Sequence, residues 1–236
     1  MLVRSWNLFH GNAYPPRRRS YLEPMVRLLT GDRPEIVCLQ EVPAWARERL
    51  PGWSGMQCVF DVALRPRLPS PLARVLTLLH NGLFRSLFAG QANAILLAPG
   101  LSVLEHSVLV LNRGNLTGAG KGERRICQIV RVGRAGRTLV LGNLHATNIA
   151  ALAGQQVPRA LARVCELARP GEPIVLAGDF NLTPADVGEF SAAGPAIDHI
   201  LVRGATVSPL RIWPDERRRL DGMLLSDHAP VELDLQ

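Results

Sequence analysis

A chain of 236 residues that is 47% hydrophobic and 20% charged has globular proportions, which exclude a disordered or fibrous protein. At this length it buries a core large enough to fold without disulfides or a structural metal. The 27 Lys and Arg against 20 Asp and Glu leave a net charge of +7, which suits phosphates, nucleic acid or an anionic membrane face. Every basic residue except Lys121 is arginine, however, a skew that a GC-rich coding sequence also produces.

Residues 2–9 form a short apolar segment that carries Asn7 and leads into His10. Over 21–29, Leu22, Met25, Val26 and Leu29 share one helical face. Residues 35–40 read as a buried strand that delivers Glu41, and Pro43 then opens a short helix. A Pro-rich stretch, 65–71, introduces a basic amphipathic helix over 72–88. Strands follow at 94–98, 103–111, 125–132 and 138–143, with a Gly-rich loop at 115–122. Residues 150–168 form the longest helix, Gly171 follows it, and further strands lie at 173–177, 200–202 and 231–235. No repeat and no linker interrupts this pattern, so one domain spanning 1–236 is expected, a mixed α/β sandwich with sheets inside and helices outside.

Cys38, Cys58, Cys127 and Cys165 form no CxxC pair and sit in apolar runs, as reduced cysteines do. The first residues lack the charged and long apolar regions of a signal peptide. The uncharged stretch 86–104 carries Gly90, Gln91, Asn93, Pro99 and Gly100, which a membrane-spanning helix does not readily hold. A cytoplasmic location is the expectation.

The polar residues that end the apolar runs carry the functional signal. Asn7, Glu41, Asn93, His145, Asp179, Asn181, Asp198, Asp227 and His228 all fall at or just beyond such an end. Burying such groups without partners costs about 1–3 kcal/mol each, so their recurrence points to a shared cleft. Oxygen ligands without a cysteine cluster suit a hard cation such as Mg²⁺. In Gly178-Asp179-Phe180-Asn181, a glycine permits close backbone approach, and two polar side chains two residues apart can face one side. An Asx-turn capping the strand is the competing reading of that string. In Ser226-Asp227-His228, a carboxylate beside an imidazole offers a metal ligand next to a proton acceptor.

Taken in order, Trp6-Asn7-Leu8 with Gln40-Glu41, Asn93-Ala94-Ile95-Leu96, Asn143-Leu144-His145, Gly178-Asp179-Phe180-Asn181, Ile197-Asp198-His199-Ile200 and Ser226-Asp227-His228 resemble the endonuclease/exonuclease/phosphatase, or DNase I-like, superfamily. The resemblance runs from residue 6 to residue 228. It implies a four-layered α/β/β/α sandwich and a Mg²⁺-dependent phosphoester hydrolase, with Mn²⁺ able to substitute, acting by metal-activated water attack. Carried onto these residues, it implies Glu41, Asn7 and Asp227 as metal ligands and His228, oriented by Asp198, at the scissile phosphate. His145 and Asn181 would hold phosphate oxygens, and either Asp179 or His228 would take the proton of the water. Asn93 and Glu123 would support the cluster.

Two departures from the family pattern bear on substrate. Only 16 residues separate Asn181 from Asp198, where relatives carry a longer excursion, and the segment 61–90 is longer and more helical than a connection needs. Three readings of the partner follow. A nuclease-like phosphodiesterase accords with the positive charge. A lipid-headgroup or small-molecule phosphodiesterase or phosphatase, with peripheral membrane contact through 72–88, accords with the basic amphipathic insert. A catalytically silent binding module of the same fold is the third.

Overall fold

Side-chain parity along the strands sets the layers. In β3 (Ile36–Val42), Ile36 and Cys38 point one way and Val37 and Leu39 the other, and all four are fully buried. A sheet covered on both faces reads as a continuous apolar run instead of an alternating one. The computed structural model describes residues 1–79, 88–112, 123–183, 187–191 and 196–236.

The first sheet contains β1 (Leu2–Asn7), β3, β4 (Gln57–Leu64), β5 (Gln91–Leu97), β11 (Arg211–Ile212) and β14 (Val231–Asp234), in the order β11-β14-β1-β3-β5-β4. The second contains β6 (Ser102–Asn112), β7 (Arg125–Arg134), β8 (Arg137–His145), β9 (Ile174–Asp179) and β10 (Asp198–Arg203), in the order β10-β9-β8-β7-β6. A small third sheet joins β2 (Ala13–Tyr14), β12 (Arg219–Leu220) and β13 (Met223–Leu225).

The two large sheets face each other. Val3, Ile36, Cys38, Ile95 and Leu97 pack against Val130, Leu141, Val175, Ala177 and Ile200. On the outer face of the first sheet, Trp6, Val37 and Leu39 receive Leu22, Met25, Val26 and Leu29 of α1 (Leu22–Thr30), with α2 (Leu50–Ser54) beside it. On the outer face of the second, Cys127, Val140 and Leu176 receive Ala153, Val157, Ala160 and Val164 of a long helix, Ala150–Leu167. This is the α/β/β/α sandwich that the sequence resemblance implies. A shorter helix, Ser70–Leu79, lies between β4 and β5. Taking these two in chain order, Ser70–Leu79 is α3 and Ala150–Leu167 is α4.

A polar seam fixes the sheets to each other below one rim. Gln40 donates to Ser5 Oγ at 3.1 Å and, across the sandwich, to Asn143 Oδ1 at 2.8 Å. Asn143 donates to the carbonyls of Leu39 and Ala94, each at 3.0 Å. Directional hydrogen bonds that span the two sheets set their relative position more sharply than apolar contact alone.

Several elements differ from the sequence reading. The strand β4 was not anticipated: its Asp61 and its half-buried residues give no clear apolar alternation. Asn93 lies inside β5, not at a strand end, because the strand begins two residues earlier at Gln91. The helix expected over 72–88 is described as Ser70–Leu79, and residues 80–87 of it lie outside the described residues, as does the loop 115–122. Among the described residues, no helix is long and apolar enough to cross a membrane.

Candidate active site

Strand pairing delivers the polar residues to a common rim. Parallel pairing of β1 with β3 sets Asn7 beside Gln40, next to Glu41. Parallel pairing of β8 with β9 sets His145 beside Asp179, and antiparallel pairing of β9 with β10 sets Asp198 on the other side of Asp179. The β8–β9 pairing depends on Gly178. A Cβ on that residue would lie 1.9 Å from the Leu144 carbonyl oxygen, and its φ of 141° is one that only glycine adopts readily.

Local backbone strain aims several of these groups. Glu41 sits in a β-bulge of β3, between Leu39 and Val42, with a φ of 53°. A bulge redirects a side chain that regular pleating would send elsewhere. Phe9, His10, Asn181 and Ser226 also have positive φ, so five of the eight such non-glycine residues among those described belong to this region. Conformations of this kind cost about 1–3 kcal/mol each and collect where function requires them.

Asp179 lies at the centre. Its Oδ2 accepts from Asn7 Nδ2 at 2.9 Å and its Oδ1 accepts from the Asn181 backbone N–H at 3.0 Å. The Nε2 atoms of His145 and His228 stand 3.6 and 3.8 Å from Oδ2. His228 donates from Nδ1 to Asp198 Oδ2 at 2.8 Å, which leaves Nε2 facing Asp179. The turn that presents His228 is held from behind. Ser226 Oγ donates to the Asn7 carbonyl at 2.7 Å and accepts the His228 N–H at 3.1 Å. Trp6 Nε1 and Arg218 both donate to the His228 carbonyl, at 2.9 and 3.0 Å.

The electrostatics follow from burial. Burial pushes the Glu41 carboxyl up to about 7, against the pull of Arg125 and with the repulsion of Asp179. Burial and Asp198 push Asp179 up to about 6. For His228, burial is the largest influence and opposes the cation. The Asp198 hydrogen bond and the charges of Asp198, Asp179 and Asp227 together outweigh it and raise the imidazole to about 9. His145 moves the other way: burial, then the charge of Arg125, holds it well below the usual histidine range, so it stands neutral.

The remaining residues expected at the site are placed as follows. Asn181 donates from Nδ2 to the Ala146 carbonyl at 3.0 Å. Asp227 is exposed beside His228, with Ser226 Oγ 3.4 Å from its carboxylate. Asn93 is fully buried and donates to the Asn143 carbonyl at 3.1 Å, tying β5 to β8. Glu123 is linked to His145 through Gln91. Its carboxylate receives the Gln91 amide at 2.7 Å, and the Gln91 oxygen faces His145 Nδ1 at 3.0 Å and Arg125 at 2.9 Å.

Sequence reasoning missed four contributors. Arg125 sets NH1 at 2.8–2.9 Å from both ring nitrogens of His145, and Gln91 completes the same cluster. Arg218, within a run of arginines, is buried and also donates to the carbonyls of Leu225 and Ser226. His10 Nε2 lies 3.5 Å from Glu41 Oε2. A charged residue at the edge of an apolar run was the one available signal for Arg125. His199, by contrast, packs edge-on against Phe180 with ring centroids 5.1 Å apart.

Two clusters of potential ligand atoms lie in this region. Among the described residues, Asp179, Asp198 and His228 each offer an atom within 4.8 Å of the others. The Glu41 carboxylate faces His10 at 3.5 Å and His145 at 3.7 Å, both long for hydrogen bonds, and about a fifth of its side chain opens to the cleft. Arg125 acts on this carboxylate only through its charge, and a divalent cation would supply a closer countercharge.

A model of the Endonuclease/Exonuclease/phosphatase family matches residues 5–228. The chain belongs to this family. Members of the endonuclease/exonuclease/phosphatase family are phosphoesterases that generally depend on a divalent metal, and family membership supports a phosphoester hydrolase here. A search of curated proteins gives no match. Among solved structures, a conserved protein of unknown function from Enterococcus faecalis superposes with a TM-score of 0.75 at 16% identity, covering 100% of this chain and 99% of its own. A Bacteroides thetaiotaomicron mannosyl-6-phosphatase gives 0.69 at 16% identity, with 100% and 99% covered. A truncated Caenorhabditis elegans TDP2 gives 0.70 at 17% identity, with 99% and 96% covered. At these identities the likeness is one of fold.

Proposed function

We propose that residues 1–236 form one catalytic domain, a Mg²⁺-dependent phosphodiester hydrolase in which water attacks phosphorus. The observation that carries this reading is the convergence of Asp198, His228, Asp179, Asn7 and His145 through contacts of 2.8–3.8 Å. A divalent cation bound by Glu41 with Asn7, and by Asp227 where it reaches, would neutralise charge building on the phosphoryl and leaving oxygens.

The chain's own residues supply the rest. Asp179, ionised above about pH 6, is the carboxylate placed to take a proton from water. His228 stays cationic up to about 9 and presents N–H at Nε2, where it donates to a phosphoryl oxygen. Asp198 fixes the ring by accepting Nδ1–H. Asn181 retains amide hydrogen-bonding capacity beyond its bond to Ala146, and Arg125 brings a fixed positive charge beside His145.

The basic excess gives nucleic acid limited support, because several arginines of its two runs, Arg17–Arg19 and Arg217–Arg219, are engaged within the fold. Arg19 pairs with Asp221 at 2.8 Å, Arg217 lies 3.5 Å over the Trp213 ring, and Arg218 is buried. A second reading, hydrolysis of a lipid-headgroup phosphoester, is favoured by the exposed apolar side chains of α3. The test is a panel of plasmid DNA, abasic DNA, RNA, sphingomyelin, inositol phosphates and nitrophenyl esters, each with Mg²⁺ or Mn²⁺ and with EDTA. Metal-dependent turnover of at least one phosphodiester is expected. No turnover on any member would refute the reading.

A further inference from the structure

Helix α3 is oriented against its own amphipathicity. It buries Ala73 and Thr77, at 1% and 0% exposure, and turns Leu72, Val75 and Leu78 outward at 57%, 50% and 37%. These three recur every third residue, so they form one ridge along the helix. A helix packed on a sandwich for stability does the reverse. Its inner face is held by a polar contact, Trp45 Nε1 donating to Thr77 Oγ1 at 3.1 Å, while the exposed Arg74 guanidinium lies 5.8 Å from the Trp45 ring.

The helix stands at the active-site end of the fold. It rises from the β4–β5 hairpin, whose closing pair is Leu64 with Gln91, and Gln91 is the partner of His145. Trp45, its anchor, follows Glu41 by four residues. The ridge is flanked by exposed Arg65, Arg67 and Arg74, and no Asp or Glu occurs from 62 to 104. Exposed apolar side chains bordered by cations, with no acidic residue on the same excursion, match a surface with an anionic outer layer and an apolar interior.

We propose that α3 docks the protein on an anionic phospholipid surface, with Leu72, Val75 and Leu78 entering the headgroup boundary and Arg65, Arg67 and Arg74 on the phosphates. The site rim then sits next to the bilayer. Docking is read without turnover, so it stands or falls separately from the catalytic reading.

The experiment is sedimentation of the full chain with vesicles of phosphatidylcholine alone or mixed equally with phosphatidylglycerol. Wild type is expected to bind the mixed vesicles and not the neutral ones. The double variant Leu72→Ser with Val75→Ser keeps the charge and removes two apolar anchors, and is expected to bind at least about tenfold more weakly. Arg74→Gln is expected to lose about fivefold, the equivalent of ~1 kcal/mol for one basic residue. Both variants should hydrolyse a soluble phosphodiester at the wild-type rate. Absence of wild-type binding would overturn the proposal. So would unchanged binding of the double serine variant, which would mark the attraction as generic charge. A wild-type dimer in light scattering that the serine variant abolishes would assign the ridge to a second copy instead.

Discussion

Asp198, the first residue of β10, and His228, on the turn before β14, meet through a 2.8 Å hydrogen bond that leaves the other imidazole nitrogen 3.8 Å from Asp179. The imidazole is thus held between two carboxylates, and its orientation follows from Asp198. Asp198→Asn removes the charge that favours the cation while keeping the shape. It is expected to lower kcat by about 10²-fold or more and to lower the pKa of His228, read by NMR of the ring protons. An unchanged His228 titration would show that Asp198 does not govern it.

Arg125 lies against the His145 ring. Replacing it with Ala removes a positive charge 2.8 Å from the ring, so the His145 pKa should rise toward the ordinary histidine range. Turnover should fall by about 10–100-fold, the usual effect of losing a partner that orients a site residue. Titration of His145 by NMR in the Arg125→Ala variant checks the sign, and a further drop in its pKa would contradict it.

Glu41, Asp179 and His228 all have folded pKa values above their unfolded ones. Each therefore contributes stability that is present below its unfolded pKa and lost as pH rises through its folded value. For Glu41 the window runs from 4.5 to about 7, for His228 from 6.5 to about 9. The metal-free protein should lose stability across this span, at about 1.4 kcal/mol per pH unit for each group while it titrates. Mg²⁺ should raise Tm more at pH 8 than at pH 5, since a cation held by Glu41 would favour the ionised carboxylate. Glu41→Gln should flatten the acidic part of the decline and suppress the Mg²⁺ response in a thermal melt.

Gly178→Ala places a methyl group against the Leu144 carbonyl in a backbone conformation unsuited to it. Destabilisation of about 3 kcal/mol or more is expected, measured by denaturant unfolding. A loss no larger than that of an exposed Gly→Ala change, such as at Gly136, would show that the β8–β9 register tolerates spreading.

The fold and the rim residues were legible because strands covered on both faces make apolar runs, and the polar group that ends each run marks the rim. Asn7, His145, Asp179 and Asp198 all occupy the first or last position of a strand. Gly178 was readable as a close approach, though not as one to Leu144. What the sequence hid depends on pairing across the fold. Gln91 sits in an uncharged stretch and gains meaning only when β5 lies near His145. Arg218 looks like one of three surface arginines until its guanidinium is seen against the carbonyls of Leu225, Ser226 and His228. The bulge at Glu41 leaves no trace in composition, because it arises from the register of β3 against β5.

The most direct measurement is the initial rate of bis(nitrophenyl) phosphate hydrolysis in Mg²⁺ and in EDTA, for the wild type and for Glu41→Gln, Asp179→Asn and His228→Ala, with folding checked by circular dichroism. The wild-type rate should vanish in EDTA, and each folded variant should lose about 10²-fold or more. Turnover that persists in EDTA, or a folded His228→Ala protein that turns over like the wild type, would contradict a single cation-dependent centre built on these three side chains.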